Sequence, residues 1–229
     1  MGEISKNLEI VSAEIEKARL KRKVAVDEPI TLVAVTKNHG ADLMLEAIHA
    51  GVTDIGENRV QEAAEKFQAL DKKVTRHLIG HLQTNKAKQA VKLFDLIHSV
   101  DSEHLAAAID KAASSAEKVQ DILIQVNLAK EDSKYGIYEE NLQSLIDEID
   151  ALKNLRLRGL MMIAPNYSDV EQCRTLFAEM RKIFDKLKVT RQNFDFLSMG
   201  MTHDYKIAIE EGANVVRIGT AIFGARNYL

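Results

Sequence analysis

No tryptophan occurs in this chain, aromatic residues make up only 5% of it, and there are one cysteine and two prolines. A lone Cys173 forms no internal disulfide, as expected of a protein kept in a reducing compartment. Long apolar runs are missing too. None approaches the roughly 20 residues of a membrane span, and the start MGEISKNLEI lacks the basic and apolar stretches of a signal peptide. We therefore expect a cytoplasmic protein without membrane attachment. An excess of charge of either sign is also lacking. With 31 basic against 34 acidic residues the net charge is −3, which gives no broad field for nucleic acid or an anionic surface. Any anion must be held locally. The chain contains no GxGxxG, GxxxxGK[ST], GxSxG or CxxC, which weakens nucleotide-binding and hydrolase readings.

What is present is an ordinary globular balance, 46% apolar and 28% charged over 229 residues. Strand-like apolar runs fall at 31–37, 54–58, 76–82, 96–100, 121–127, 155–164, 194–200 and 215–223. Between them lie segments of helical spacing. In 169–190, Val170, Cys173, Phe177, Met180, Phe184 and Leu187 form one stripe, led by Ser168 and Glu171 in a capping-box pattern. Gly51 and Gly212 close two further helices. The leading segment 2–23 is an extra helix, with Ile4, Leu8, Val11, Ile15 and Ala18 on one side. Runs such as LVAV and DILIQV are almost continuously apolar, as in parallel sheets buried on both faces. Eight of them alternating with helices predict a (β/α)8 TIM barrel, one domain spanning 1–229 and monomeric, over an open doubly wound sheet.

Chemistry concentrates at the strand ends. In TLVAVTKNHG, alternation puts Thr31, Val33, Val35 and Lys37 on one face, so Lys37 arrives at the carboxyl end where barrel active sites are assembled. Desolvated there, its amine is biased towards the neutral form that attacks a carbonyl, whether of a substrate or of an aldehyde cofactor such as pyridoxal phosphate (PLP). The competing reading is a lysine that snorkels into water. The last two strands, FDFLSMG and VVRIGTAIFG, end in small and hydroxyl residues. Ser198, Gly200, Gly219 and Thr220 suit a phosphate cradle, or they simply relieve crowding at the rim. Arg217 shares a face with Val215 and Gly219. It either pairs with a carboxylate in the barrel or, if PLP is the ligand, donates to the pyridine nitrogen and leaves the ring a weak electron sink. Asn58 caps a helix or touches a ligand. His81 is placed to line the pocket and His77 to be packed or solvated. Four strand positions separate the two rings by roughly 13 Å, which opposes a shared metal ion. The charges of NLAKEDSKYG, Lys130, Glu131, Asp132 and Lys134, read as a solvated turn.

The segments VAVTK, GENRVQE, HLIGHLQTNK, SKYG, GLMMIAP, LSMGMTHDY and VRIGTAIFGAR together resemble the pyridoxal phosphate homeostasis proteins, also described as the YggS or PROSC family. The resemblance spans nearly the whole chain. It implies a barrel similar to the amino-terminal domain of alanine racemases (PLP fold type III), binding PLP covalently as an internal aldimine of Lys37. It further implies phosphate contacts at Ser198, Gly200, Gly219 and Thr220, and Arg217 beside the pyridine nitrogen. The implied role is to hold PLP and deliver it to PLP-dependent apoenzymes, in vitamin B6 and amino-acid homeostasis, without demanding catalysis. One departure is visible: Asn-His-Gly follows Lys37, where many members carry a Thr-Lys-Pro or similar run. The alternative is a PLP-dependent amino-acid racemase. Racemases of this fold draw a second base, a tyrosine, from an additional carboxy-terminal domain, whereas here Tyr135, Tyr205 and Tyr228 have no special case. A cofactor-free class I aldolase is disfavoured by the matched segments.

Overall fold

The computed structural model describes residues 2–26, 28–131 and 133–224. Eight parallel strands, β1 (Thr31–Val35), β2 (Asp54–Glu57), β3 (Thr75–Leu78), β4 (Leu96–Val100), β5 (Gln120–Gln125), β6 (Leu155–Met161), β7 (Phe196–Met201) and β8 (Val215–Ile218), follow one another around a closed barrel. Closure is made where β8 pairs β1, with Thr31 opposite Val215 and Val33 opposite Arg217. Helices α2 (Ala41–His49), α3 (Val60–Lys66), α4 (Ala87–Leu93), α5 (Glu103–Ser115), α6 (Glu139–Asp150), α7 (Cys173–Lys188) and α8 (Tyr205–Glu210) form the outer ring. The barrel expected from the spacing of apolar runs is the fold observed.

Two hydrophobic layers result from the period-2 alternation of the strands. Ala34, Ile55, Leu78, Ile97, Ile122, Leu160 and Val216 point outward into a core shared with Phe177, Met180 and Phe184 of α7. Inside the barrel, Leu96, Leu123 and Met161 form a much smaller apolar cluster, joined by Ile163 and Phe196. Beside Val33, Val35 and Val215, the interior also holds polar side chains: His77, His98, Ser198 and Arg217 are all buried. Barrel interiors are ordinarily filled by branched aliphatic residues, so these four side chains stand out.

Several boundaries differ from the sequence reading. The run 215–223 is not one strand: β8 stops at Ile218, and α9 (Thr220–Phe223) begins after Gly219. The runs 31–37, 76–82 and 155–164 likewise leave the sheet early, at Val35, Leu78 and Met161. Their last residues project over the barrel mouth as loops, which is where a site needs them. Ser168 does not cap α7. The Asp169 carboxylate accepts the Glu171 N–H at 3.1 Å, and a 3-10 turn (Val170–Gln172) precedes the helix. Gly51 and Gly212 do close α2 and α8, at φ 106° and 98°.

The leading helix α1 (Glu3–Leu20) buries Ile4, Leu8, Val11 and Ala18, as its spacing predicts. It is tied to the mouth of the barrel, because the Asn7 side-chain amide donates to the Ile222 carbonyl of α9 at 2.9 Å. The Arg22 guanidinium, just past α1, donates to the carbonyls of Ile209 and Ala213 at 3.1 and 2.6 Å. These bonds tie the segment after α1 to the end of α8 and to the turn that follows it. No helix among the described residues is long and apolar enough to cross a membrane.

Candidate functional site

A cavity of about 270 Å³ opens at the carboxyl ends of the strands. Its base is apolar, formed by Val35, Ile79 and Ile163, with the Arg217 guanidinium among them. Lys37 and Asn58, after β1 and β2, and Thr202, His203, Gly219 and Thr220, after β7 and β8, complete the lining. A larger concavity, 640 Å³, lies at the opposite end of the strands between Phe67, Lys72 and Arg76. It is a shallow groove over Lys72, Lys73 and the Arg76–Asp95 ion pair. Pockets that bind small ligands combine an apolar wall with a few convergent polar groups. The mouth cavity has that character and lies at the carboxyl ends of the strands, where barrel sites are assembled, whereas the groove lies at the other end.

The backbone on both sides of Lys37 is tied down by a second lysine. Lys66 of α3, only 8% exposed, pairs with the fully buried Glu57. Its ammonium also donates to the carbonyls of Thr36 (2.7 Å) and His39 (3.2 Å) and to Glu62 Oε1 (2.9 Å). The Thr36 hydroxyl donates to Glu57 Oε1 at 2.6 Å, and the Asn38 N–H to Glu62 Oε1 at 2.6 Å. Burial pushes the Glu57 carboxyl up from its ordinary range, while the hydrogen bonds from Lys66 and Thr36 work against that rise. Residues 36, 38 and 39 are therefore fixed, and Lys37 projects from a braced turn. Asn38 sits at φ 61°, a left-handed conformation that Asn tolerates and Pro cannot adopt. That accounts in backbone terms for Asn-His-Gly at this position.

Asn58 does not cap α3, whose first flanking residue is Arg59 with no side-chain cap. It lines the cavity instead. Gly80 explains how it is held: a Cβ there would lie 2.4 Å from the Asn58 carbonyl oxygen, so the loop after β3 presses on the Asn58 backbone only because position 80 has no side chain. Gly219 is similarly confined, since a Cβ would lie 3.2 Å from the Val35 carbonyl. Its N–H donates to the Thr202 hydroxyl at 3.4 Å. The β8–α9 turn thus presents main chain and the Thr220 hydroxyl to the cavity, with no side chain at 219 to obstruct an anion.

Five of the eight residues singled out from the sequence meet on this cavity: Lys37, Asn58, Arg217, Gly219 and Thr220. Three do not line it. Ser198 is fully buried in the barrel interior, where its hydroxyl accepts from Arg217 at 2.5 Å and contacts His98 Nδ1 at 3.0 Å. Gly200, at φ 95°, is dictated by packing, because a Cβ would lie 2.7 Å from Ala208 and 2.8 Å from Tyr205 in α8. The His81 ring stacks on Tyr135, with centroids 3.8 Å apart and planes 11° apart, and faces Asp101 at 3.9 Å. His77 is packed in the barrel and turns towards Asp54 and His98, so the rings of His77 and His81 reach different partners. Among the described residues no group of three or more His, Cys, Asp or Glu is arranged to hold a metal.

Arg217 meets no carboxylate within ion-pair distance among the described residues. It donates to Ser198 and, at 2.8 Å, to the Met162 carbonyl. Burial lowers its pKa to about 10, with Asp204 working in the other direction. It therefore stays cationic at neutral pH and presents a poorly hydrated charge to the cavity. Of the three tyrosines considered as a second base, Tyr135 stacks on His81, Tyr205 is buried in α8, and Tyr228 lies outside the described residues. Neither Tyr135 nor Tyr205 lines the cavity. In the loop after β5, Lys130 pairs with Glu140 and Lys134 with Glu131 at the surface, and Asp132 lies outside the described residues.

Sequence reading missed Thr202 and His203, which follow β7, and Lys66. An ion pair at Glu62 and Lys66 on a short helix is most simply a solvated pair. The one available hint was Glu57 at a buried strand end, a carboxylate that needs a cation.

Comparison with known proteins places the chain. The alanine racemase N-terminal-domain family matches residues 15–227. The pyridoxal phosphate homeostasis protein of Aquifex aeolicus is 42% identical over 199 residues, covering 86% of this chain and 87% of that one. The solved structure of PipY from Synechococcus elongatus with PLP bound superposes with a TM-score of 0.84 at 35% identity, covering 96% of this chain and all of that one. An alanine racemase of Clostridium difficile, 19% identical, shares the fold with a TM-score of 0.71 over 96% of this chain and 60% of its own.

Proposed function

Because the chain belongs to the pyridoxal phosphate homeostasis proteins, a family built on the alanine racemase N-terminal domain, we propose that it binds PLP and serves PLP homeostasis. In this reading Lys37 holds the cofactor as a Schiff base, and the protein acts in the cytoplasm on vitamin B6 and amino-acid balance, with PLP-dependent apoenzymes as recipients. The observation that carries it is the convergence of one amine, one guanidinium and one unobstructed main-chain turn on a single 270 Å³ cavity.

The residues present fit such a ligand. PLP supplies an aldehyde that an amine can capture, and it brings a phosphate and an aromatic ring that require separate partners. Lys37 is half-buried and braced through its neighbours by Lys66, so the amine is offered from a fixed position. The Gly219–Thr220 turn, whose Gly219 N–H is engaged by Thr202, offers the Thr220 hydroxyl as a donor suited to the phosphate. Val35, Ile79 and Ile163 give apolar contact to a ring, and Arg217 provides a permanent donor at its edge. A guanidinium keeps its proton, so it holds a ring nitrogen without charging it. Racemases of this fold resemble the family in using an arginine there, so Arg217 alone does not separate carrier from enzyme. The racemase alternative needs a second base on the cavity wall; neither Tyr135 nor Tyr205 stands there, and the side chain that would have to serve is His203.

The test is spectroscopic. Protein loaded with PLP should absorb in the visible, borohydride should fix the label on Lys37, and Lys37→Ala should abolish both. Incubation with single L-amino acids in deuterated water separates carrier from enzyme: exchange of the α proton at an enzyme-like rate would refute the carrier reading.

A further inference from the structure

A continuous line of polar side chains runs through the barrel interior from one end to the other. Asp54, at the amino end of β2, lies 2.9 Å from His77 Nε2. His77 Nδ1 lies 2.9 Å from His98 Nε2, with the two rings 67° apart. His98 Nδ1 is 3.0 Å from the Ser198 hydroxyl, which accepts from Arg217 at 2.5 Å. Five strands contribute: β2, β3, β4, β7 and β8. His98 and Ser198 are fully buried, and His77 and Arg217 are each 3% exposed.

The protons along this line have one consistent arrangement. Arg217 only donates and an ionised Asp54 only accepts, so the chain is anchored by opposite charges. His77 must then carry its proton on Nε2, and if neutral it accepts at Nδ1. That requires His98 to be protonated on Nε2 and to accept at Nδ1, which assigns the Ser198 O–H to His98 and its lone pair to Arg217. Every donor and acceptor is used once. A cationic His77 would instead force His98 to donate towards Ser198. The Ser198 oxygen would then face two donors, and its own proton would have no partner. Burial, with repulsion from Arg217, holds the His98 imidazole well below its ordinary range and therefore neutral. Burial also works to raise Asp54, but the hydrogen bonds from His77 and Thr53 outweigh it and keep the carboxylate ionised.

Such a layer is unnecessary for folding, because apolar side chains of similar volume fill barrels at no loss of stability. We propose that Asp54, His77, His98 and Ser198 form a one-directional hydrogen-bond relay that holds Arg217 as a donor into the mouth cavity and couples its donor strength to the carboxylate at the opposite end. His98 and Ser198 are then positioning residues. Asp54 is the far terminus, with a side chain 15% exposed beside a cavity of 180 Å³ that Asp95, Asp121 and Arg158 also line. The functional half of the proposal rests on PLP occupying the mouth cavity; the relay itself does not.

Two measurements test it. In apoprotein with 15N-labelled histidine at pH 7, both His77 and His98 should be neutral with the proton on Nε2, and Ser198→Ala should move the His98 Nδ1 resonance. A protonated His98, or a proton on Nδ1 of either ring, would overturn the relay. In the loaded protein, Asp54→Asn should weaken PLP binding by about 2- to 30-fold, the range seen for substitutions along a coupled network, and should displace the visible band. Asp95→Asn, in the same lower cavity but bound to Arg76 and outside the relay, should change neither. Equal behaviour of the two variants would refute the coupling, with the thermal midpoint of each apoprotein showing that it is folded. Should the wild type carry no Lys37-linked chromophore, the Lys37 assignment falls, and the apoprotein tautomers still decide the relay.

Discussion

Replacing Lys66 by methionine removes the cation that neutralises Glu57 and leaves side-chain volume nearly unchanged. Glu57 is fully buried, and its Oε2 already has no hydrogen-bond partner, so the carboxylate has no other compensation within reach than the Thr36 hydroxyl. Breaking a buried ion pair from one side costs about 3–5 kcal/mol. The carbonyls of Thr36 and His39 each lose a charged donor as well, though both lie near the mouth, where water can replace part of it. For a chain of this size, about 3–5 kcal/mol corresponds to a fall in Tm of roughly 6–20 °C. The pH dependence supplies a sharper signature. Without Lys66 the folded-state pKa of Glu57 rises further above its unfolded value, so the folded state binds the extra proton. The variant should be closest to wild type below about pH 4 and lose stability as pH rises from there towards the raised folded pKa. Urea denaturation of the two apoproteins between pH 4 and 8 measures this, and Lys66→Met combined with Glu57→Gln should recover part of the loss at neutral pH. A single variant within about 1 kcal/mol of wild type at pH 7, or one that gains stability with rising pH, would refute the account of the clamp.

Other perturbations read different parts of the structure. Gly159→Ala should abolish soluble expression, because its φ of 154° is joined by a Cβ position only 1.8 Å from the Phe196 carbonyl oxygen across the β6–β7 seam; normal yield would show that the seam can shift. Asn7→Ala should loosen the bond from α1 to α9 at a cost of about 1 kcal/mol in urea denaturation and speed hydrogen exchange in α9, and unchanged exchange there would contradict the bracing role. Thr220→Val, close in shape but without the hydroxyl, should weaken binding of PLP more than binding of pyridoxal, which has no phosphate; an equal effect on both would remove Thr220 from the phosphate end.

Much of the barrel was legible in the sequence because its cause is local. Apolar runs such as LVAV and DILIQV, separated by helical spacing, admit few other architectures, and Gly51 and Gly212 announced helix ends through their backbone freedom. The placement of Lys37, Arg217, Gly219 and Thr220 at the barrel mouth was legible for a related reason: each lies at a strand end whose direction alternation fixes. What was not legible has a common physical origin in pairwise contacts between distant segments. Ser198 has the right type and place for a phosphate contact, yet Arg217 and His98 claim its hydroxyl from two other strands. Gly200 answers to α8, and His81 to Tyr135 in the loop after β5. Lys66 looks solvated from its own helix and is buried only because Glu57 and the turn at 36–39 close over it. Asp169 displaced Ser168 as the cap because the chain enters α7 through a 3-10 turn.

The central claim is that Lys37 carries PLP at the mouth of this barrel. The most direct measurement is the visible spectrum of the PLP-loaded protein before and after borohydride, with the modified peptide mapped by mass spectrometry, in wild type and in Lys37→Ala. The account predicts a visible band that reduction abolishes, a single label on Lys37, and neither feature in the variant. A band that persists in Lys37→Ala, or a label mapped to another lysine, would contradict it.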